Sequence, residues 1–174
     1  MEKSDLFKHE LIHQSVFIKT EAFTFSPAVR AACESNMCGR YARSWTCPPG
    51  AGTERELKER VLSYRDAFVF TYLGALEDSW DFEGMDAARK TAMGILGELR
   101  ARLDAGKTKY YVMGCGSCAL CAECTYPDSP CRFKELAVVS VEAHGIDVVK
   151  LAADTGINYY NGKNTVTYFC AVLF

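Results

Sequence analysis

Five cysteines fall between residues 115 and 131, in the stretch "GCGSCALCAECTYPDSPC", at the spacing C-x2-C-x2-C-x2-C-x6-C. Thiolates serve as nucleophiles, soft metal ligands or disulfide partners, so the run must hold either its own sulfurs together, zinc, or iron and sulfide. Cysteines three apart rarely bridge one another without strain, so a disulfide scaffold would need a partner elsewhere for each. Only Cys33, Cys38, Cys47 and Cys170 lie outside the run. Metal therefore comes before disulfide.

The cysteines fall into two groups and a remainder. The first group is Cys33-x4-Cys38-x8-Cys47, followed by Pro48-Pro49. The second is Cys115, Cys118, Cys121, Cys124 and Cys131, followed by Arg132. Cys170, in the apolar stretch "TVTYFCAVLF", is most simply a buried thiol. Three and five give eight candidate ligands, the number that two four-cysteine sites require. Zinc sites take one Cys-x2-Cys knuckle and draw a second pair from roughly a dozen or more residues away. Consecutive x2 steps instead wrap a short loop around a larger object, and the bacterial ferredoxin run C-x2-C-x2-C-x3-C-P is the nearest pattern. No proline directly follows Cys124 or Cys131, although one follows Cys47. The spacing favours iron–sulfur clusters, two of the [4Fe-4S] type, with zinc as the alternative cofactor.

The residues between the thiols suit a cluster. Gly114, Gly116, Ser117, Ala119 and Ala122 are small and let backbone N–H groups approach the sulfurs. Tyr41, Trp45 and Tyr126 are candidates to shield a cluster, and Arg40, Arg43 and Arg132 to offset its negative charge. Their plainer roles are ordinary packing and solvated surface. Two histidine features carry less. "HELIH" is formally H-E-x-x-H, with His9 and His13 on one face if helical, but no third ligand is evident downstream. His144, in "EAHGID", is a candidate ligand or proton shuttle, against the commoner role of a packed residue. No nucleophile lies near it in sequence, so a hydrolase triad has no support.

The rest of the chain has to position these thiols. At 174 residues it has the size of one domain, 1–174, with enough chain to bury a core. It is 49% apolar and 24% charged, as soluble globular proteins are. A net charge of −2 without a basic stripe argues against nucleic acid. No apolar run approaches the roughly 20 residues of a membrane span. The opening residues lack the apolar segment of a signal peptide, which leads to an expectation of a reducing cytoplasm.

The pattern predicts a short helix over 4–14, a strand over 15–25, and a helix opened by Ser26-Pro27 and running to about Cys33. Thr53 and Glu56 form a capping-box signature for the helix in "TERELKERVLSY". "DAFVFTYL" (66–73) is a buried strand. Apolar residues at 85, 88, 92, 95, 96, 99 and 103 mark an amphipathic helix ending near Gly106. "KYYVMG" is a strand that leads into the cysteine run. The segment 133–156 is helical in pattern, broken at Gly145. Asn161-Gly162, between two strand-like runs, predicts a C-terminal β-hairpin. The expected fold is α+β or α/β, one mixed sheet with that hairpin, helices packed on it, and two cysteine-rich metal-binding loops.

With both cysteine groups in view, the chain resembles a family of small cysteine-rich proteins of bacteria and archaea, a domain of unknown function described as predicted metal-binding proteins. The resemblance rests on "CGRYARSWTCPPGAG", "GCGSCALCAECTYPDSPCRF" and "SVEAHGIDV", in this order over roughly residues 30 to 150. In the family the last cysteine is usually followed by Arg-x-Pro. Here the sequence is "CRFK", with Lys134 in the proline's place. The resemblance implies metal or cluster binding at Cys33, Cys38, Cys47, Cys115, Cys118, Cys121, Cys124 and Cys131, and supplies no substrate. Three functions follow from the residues. The leading one is an electron-transfer protein or redox accessory subunit that serves a redox partner protein. The others are an iron–sulfur enzyme with an open iron position for a small molecule, and a zinc-stabilised interaction module.

Overall fold

The ten-residue strand β2 (Asp66–Ala75) runs through the middle of the molecule, and five consecutive residues in it are buried. A strand buried on both faces needs apolar side chains in both phases of its two-residue period. Phe68 and Phe70 point to one core, and Ala67 and Val69 to the other. In the computed structural model, which describes residues 3–174, β1 (Gln14–Lys19), β2, β3 (Tyr111–Met113) and β4 (Thr165–Leu173) form one sheet in the order β1-β2-β4-β3.

Four helices accompany this sheet, which makes the fold α+β: α1 (Pro27–Glu34), α2 (Glu54–Leu62), α3 (Phe82–Ala105) and α4 (Val148–Thr155). On one face α3 lays Ala92, Ile95, Leu96, Leu99 and Leu103 against Phe68, Phe70 and Val172. Its periodicity holds as read, and it starts at an Asp81 cap whose side chain accepts from the Gly84 N–H at 2.8 Å. On the other face Val61 of α2 and Leu151 and Ala152 of α4 pack with Val69, Phe169 and Ala171. The Thr53/Glu56 capping box is formed in both directions. That fixes where α2 begins and hence where the first cysteine loop ends.

Several expected elements differ. All strand pairs are antiparallel, so the sheet is not mixed; the parallel pairing among the described residues is an isolated bridge between Gly114 and Ser140. The C-terminal hairpin does not form. β4 pairs along its whole length with β2, and the segment before it covers the sheet instead of extending it. Ile157 enters the core and Tyr159 stacks on Phe169 at 6.0 Å. The strand expected over 15–25 stops at Lys19, where a 3-10 turn (Thr20–Ala22) redirects the chain. The helix expected over 4–14 is a 3-10 turn ending at Phe7, so His9 and His13 share no helix face. Of the segment 133–156 only α4 and a 3-10 turn (Glu142–His144) are helical.

Those last pieces hold the second cysteine loop. After β3, the Gly114 N–H donates to Val139 O (3.0 Å), and its carbonyl accepts from the Val141 N–H (2.9 Å). A Cβ at Gly114 would fall 2.6 Å from Met93 Sδ of α3, so glycine lets the methionine pack closely where the chain leaves the sheet. The loop is thus closed at its neck between Gly114 and residues 139–141.

Candidate metal centres

Cys118, Cys121, Cys124 and Cys131 line one small cavity of about 30 Å³. Ser44, Trp45 and Thr46, from the first cysteine loop, complete its wall. Burial pushes the Cys118 thiol up in pKa, and Cys131, Cys121 and Cys124 raise it further, while the Leu120 N–H bonded to its sulfur opposes them. These sulfurs feel one another's charge. A bound cation relieves that repulsion, and its binding displaces the protons.

The cavity is braced by hydrogen bonds that involve no sulfur. Thr125 Oγ1 donates to Pro130 O (2.9 Å), and Arg132 Nη1 donates to Glu123 O (2.9 Å). Arg132 therefore fastens the loop's backbone. Trp45 joins the two loops: its Nε1–H donates to Ser129 O (3.0 Å), and its ring meets Tyr126 edge-on at 4.9 Å. Gly50 sits beneath this contact, where a Cβ would lie 2.4 Å from Ser44 O and 2.8 Å from the Tyr126 ring.

A second set of thiols lies in the first loop. Cys33 occupies the last turn of α1, and its thiol is raised by burial first and then by Cys38 and Cys47, with Arg30 opposing and Glu142 adding to the rise. α1 packs against the Glu142–His144 turn, which accounts for the carboxyl beside Cys33. The loop is held by Ala42 N–H donating to Pro48 O (2.8 Å), Tyr41 N–H to Asn36 Oδ1 (3.0 Å), and Arg30 Nη1 to Gly52 O (3.3 Å). Arg40 and Arg43 are exposed.

Cys115 stands apart from both sets. It is 4% exposed, within the apolar core under α3, and it hydrogen-bonds with Cys170, which is fully buried. That bond, and then burial, hold the Cys170 thiol well above the usual thiol range, so it stays protonated. The eight cysteines grouped by sequence are thus placed as four, three and one, and the remaining one has Cys170 as its neighbour.

The model of a family described as "Predicted metal-binding protein (DUF2284)" matches residues 16–174. The chain belongs to this family. No curated protein matches it, and no solved structure does. For a member of a predicted metal-binding family the donor chemistry fits: four thiols on one cavity and three on the adjoining loop suit a thiophilic centre. Among the described residues no three His, Cys, Asp or Glu side chains are arranged to hold a single ion.

His9 and His13 form no metal pair. His9 Nε2 lies 3.2 Å from a Glu98 carboxylate oxygen, and its Nδ1 accepts from the Leu11 N–H at 3.1 Å. His144 is 1% exposed, and burial lowers its pKa to about 4, so the ring is neutral near pH 7. Its Nδ1 lies 2.7 Å from Ser140 O. A carbonyl only accepts, so the proton is on Nδ1. Nε2 then accepts from the Tyr111 hydroxyl at 2.9 Å. The Arg60 guanidinium lies beside that hydroxyl and 5.8 Å from the Tyr111 ring centroid. Sequence reading found the histidine but not its partners, which lie 33 residues apart for Tyr111 and further for Arg60. The available signal was the arrival of a tyrosine, Tyr111, at the strand that feeds the cysteine loop.

Proposed function

We propose that this protein is an iron–sulfur redox protein with two unequal centres. The carrying observation is that Cys118, Cys121, Cys124 and Cys131, three of them separated by x2 steps, line one cavity. Two consecutive x2 steps in a pinned loop, C-x2-C-x2-C, are the arrangement that embraces a cubane. These four thiols would hold one [4Fe-4S] cluster with all its irons bound to protein, a centre suited to passing electrons. Cys33, Cys38 and Cys47 would hold a second, with one position left without a cysteine. The protein would then serve electron transfer, or a redox accessory role beside a partner protein, in a reducing compartment such as the cytoplasm. No helix of the described residues is long and apolar enough to cross a membrane.

The compactness of the four-thiol cavity, about 30 Å³, favours one second reading. Four thiols around so small a space also suit a single structural zinc. Iron, acid-labile sulfide and zinc, measured on protein purified without oxygen, separate the two. The cluster reading expects about eight irons and eight sulfides per chain, with a brown colour near 400 nm. Stoichiometric zinc without sulfide would overturn it.

A further inference from the structure

Next to the four-thiol cavity lies a much larger cleft, of about 820 Å³, which no cysteine function requires. The two share the wall formed by Trp45, Thr46 and Cys131. The volume falls within the range of small-molecule pockets, roughly 300–1,000 Å³. α2 supplies Arg60 at its last turn, Ser63 and Tyr64 follow it, β3 supplies Tyr111, and the turn after Cys131 supplies Lys134.

Three features of the lining define its occupant. First, Tyr64 and Tyr111, nearly parallel with centroids 6.2 Å apart at 21°, both line the cleft and give it aromatic surface. The Tyr64 hydroxyl is already used, donating to Tyr110 O at 3.1 Å. Second, the charged side chains of the cleft are Arg60, Lys134 and Asp128, two cations to one anion. Lys8, Lys19, Arg65, Arg89, Lys90 and Lys150 each reach a carboxylate. Among the described residues, Arg60 and Lys134 reach none within ion-pair distance. Third, Arg60 lies against Tyr111, 5.8 Å from the ring centroid and beside the hydroxyl. Ser140 O fixes the His144 tautomer, and His144 Nε2 accepts a hydrogen bond from that hydroxyl, which holds the tyrosine in position. The fork of a guanidinium lining this cleft matches that of a carboxylate.

We propose that this cleft binds a small organic acid: a carboxylate on a flat, conjugated body of aryl or enoyl type. The carboxylate meets Arg60 and Lys134, and the body lies on Tyr64, Tyr111 and Trp45. Cys131 lines both the cleft and the four-thiol cavity, so the bound molecule lies beside the four-thiol centre. The site goes beyond the metal reading and does not depend on which metal the thiols hold.

The test is calorimetric titration of anaerobically purified, metal-loaded protein with trans-cinnamate and with its neutral amide. Metal content is measured on the same samples, so loss of metal and loss of binding are read separately. The expected result is saturable one-to-one binding of cinnamate, with the amide at least about tenfold weaker, as loss of a charge-assisted contact gives. Arg60→Gln should weaken cinnamate by about tenfold or more. Lys134→Gln, on an exposed turn where folding is not at stake, should weaken it several-fold. Lys58→Gln, a cation over Phe25 on a different surface, should leave binding unchanged. Tyr111→Phe keeps the ring but removes the hydroxyl beside Arg60, and should reduce affinity for the acid more than for the amide. Absence of saturable binding by fully loaded protein would overturn the proposal. So would equal affinity for acid and amide, or unchanged affinity in both Arg60→Gln and Lys134→Gln.

Discussion

Cys115 and Cys118 are three residues apart, in the same run and at the same x2 spacing as the next pairs, yet they belong to different parts of the molecule. Cys118 faces Cys121, Cys124 and Cys131 across a solvent-reachable cavity. Cys115 lies in the apolar core against Cys170. The environments are opposite: a set of thiols in which burial and the other three raise the pKa of Cys118, and a thiol pair among aliphatic and aromatic side chains in which Cys170 is held well above the usual thiol range. Spacing brings cysteines near one another, but the backbone decides which face they show. Here β3 carries Cys115 into the core before Gly116, at φ +67°, turns the chain outward.

The largest effect that would sharpen this contrast is on metal content. Cys121→Ser should lose the four-thiol centre's entire load, whereas Cys115→Ser and Cys170→Ser should leave the metal and sulfide content of anaerobically purified protein unchanged. Iron lost on Cys115→Ser would return that residue to the ligand set.

The next effect is on folding and belongs to the core side. His144 is neutral in the fold, with a pKa near 4 against about 6.5 unfolded. Between those values the unfolded chain takes a proton that the folded one refuses. Stability is therefore full above pH 6.5 and falls as the pH drops toward 4, by about 3 kcal/mol in total from this group. Urea unfolding at stepped pH should show that slope, and His144→Asn should flatten it.

Cys115→Ser sharpens the comparison from the other direction. It replaces a thiol with a hydroxyl in an apolar core and should destabilise by about 1–3 kcal/mol, read as a lower urea midpoint, while metal content stays constant. Cys121→Ser should show the reverse pairing: metal lost in the protein as purified, and a urea midpoint equal to that of the parent once both are stripped of metal.

A smaller local effect separates loop bracing from metal. Stripping the metal should open the cysteine loops to trypsin at Arg40, Arg43 and Arg132 before α3 is cut, because the loops bury little apolar area of their own. The hydrogen bonds of Trp45 and Arg132 should slow that cleavage. Trp45→Phe should therefore speed it in metal-free protein alone. The smallest change expected is from Thr53→Ala, which removes the α2 cap for about 1 kcal/mol and spares the metal.

Much of this frame was readable from residue patterns, because it depends on local signals. The apolar period of α3, the α2 capping box, the apolar run of β2 and the two groupings of thiols all come from short-range spacing. What escaped depends on long-range pairing. The chain does bend at Gly162, at φ +108°, but β4 pairs with β2, whose residues lie about 90 or more positions upstream. Val138 to Val141 read as helix from composition, yet the bridge from Ser140 to Gly114 makes them the neck of the loop. The role of Cys115 follows from Cys170, which is 55 residues away in sequence and adjacent only once β3 and β4 have paired.

One peptide bond separates the wall of the four-thiol cavity from the other thiol set. Thr46 is part of the wall of the four-thiol cavity, and Cys47 belongs to the other set; consecutive α-carbons stand about 3.8 Å apart. Filling either centre must draw its side chains inward, and so fixes a residue whose neighbour serves the other. Part of the ordering cost of the second site is then met when the first is filled, and linkage makes this help reciprocal. Partially loaded samples should consequently contain mostly chains with both centres filled or neither, and few with one. The protein would take up its metal as a unit, with its uptake curve steeper than that of two independent sites.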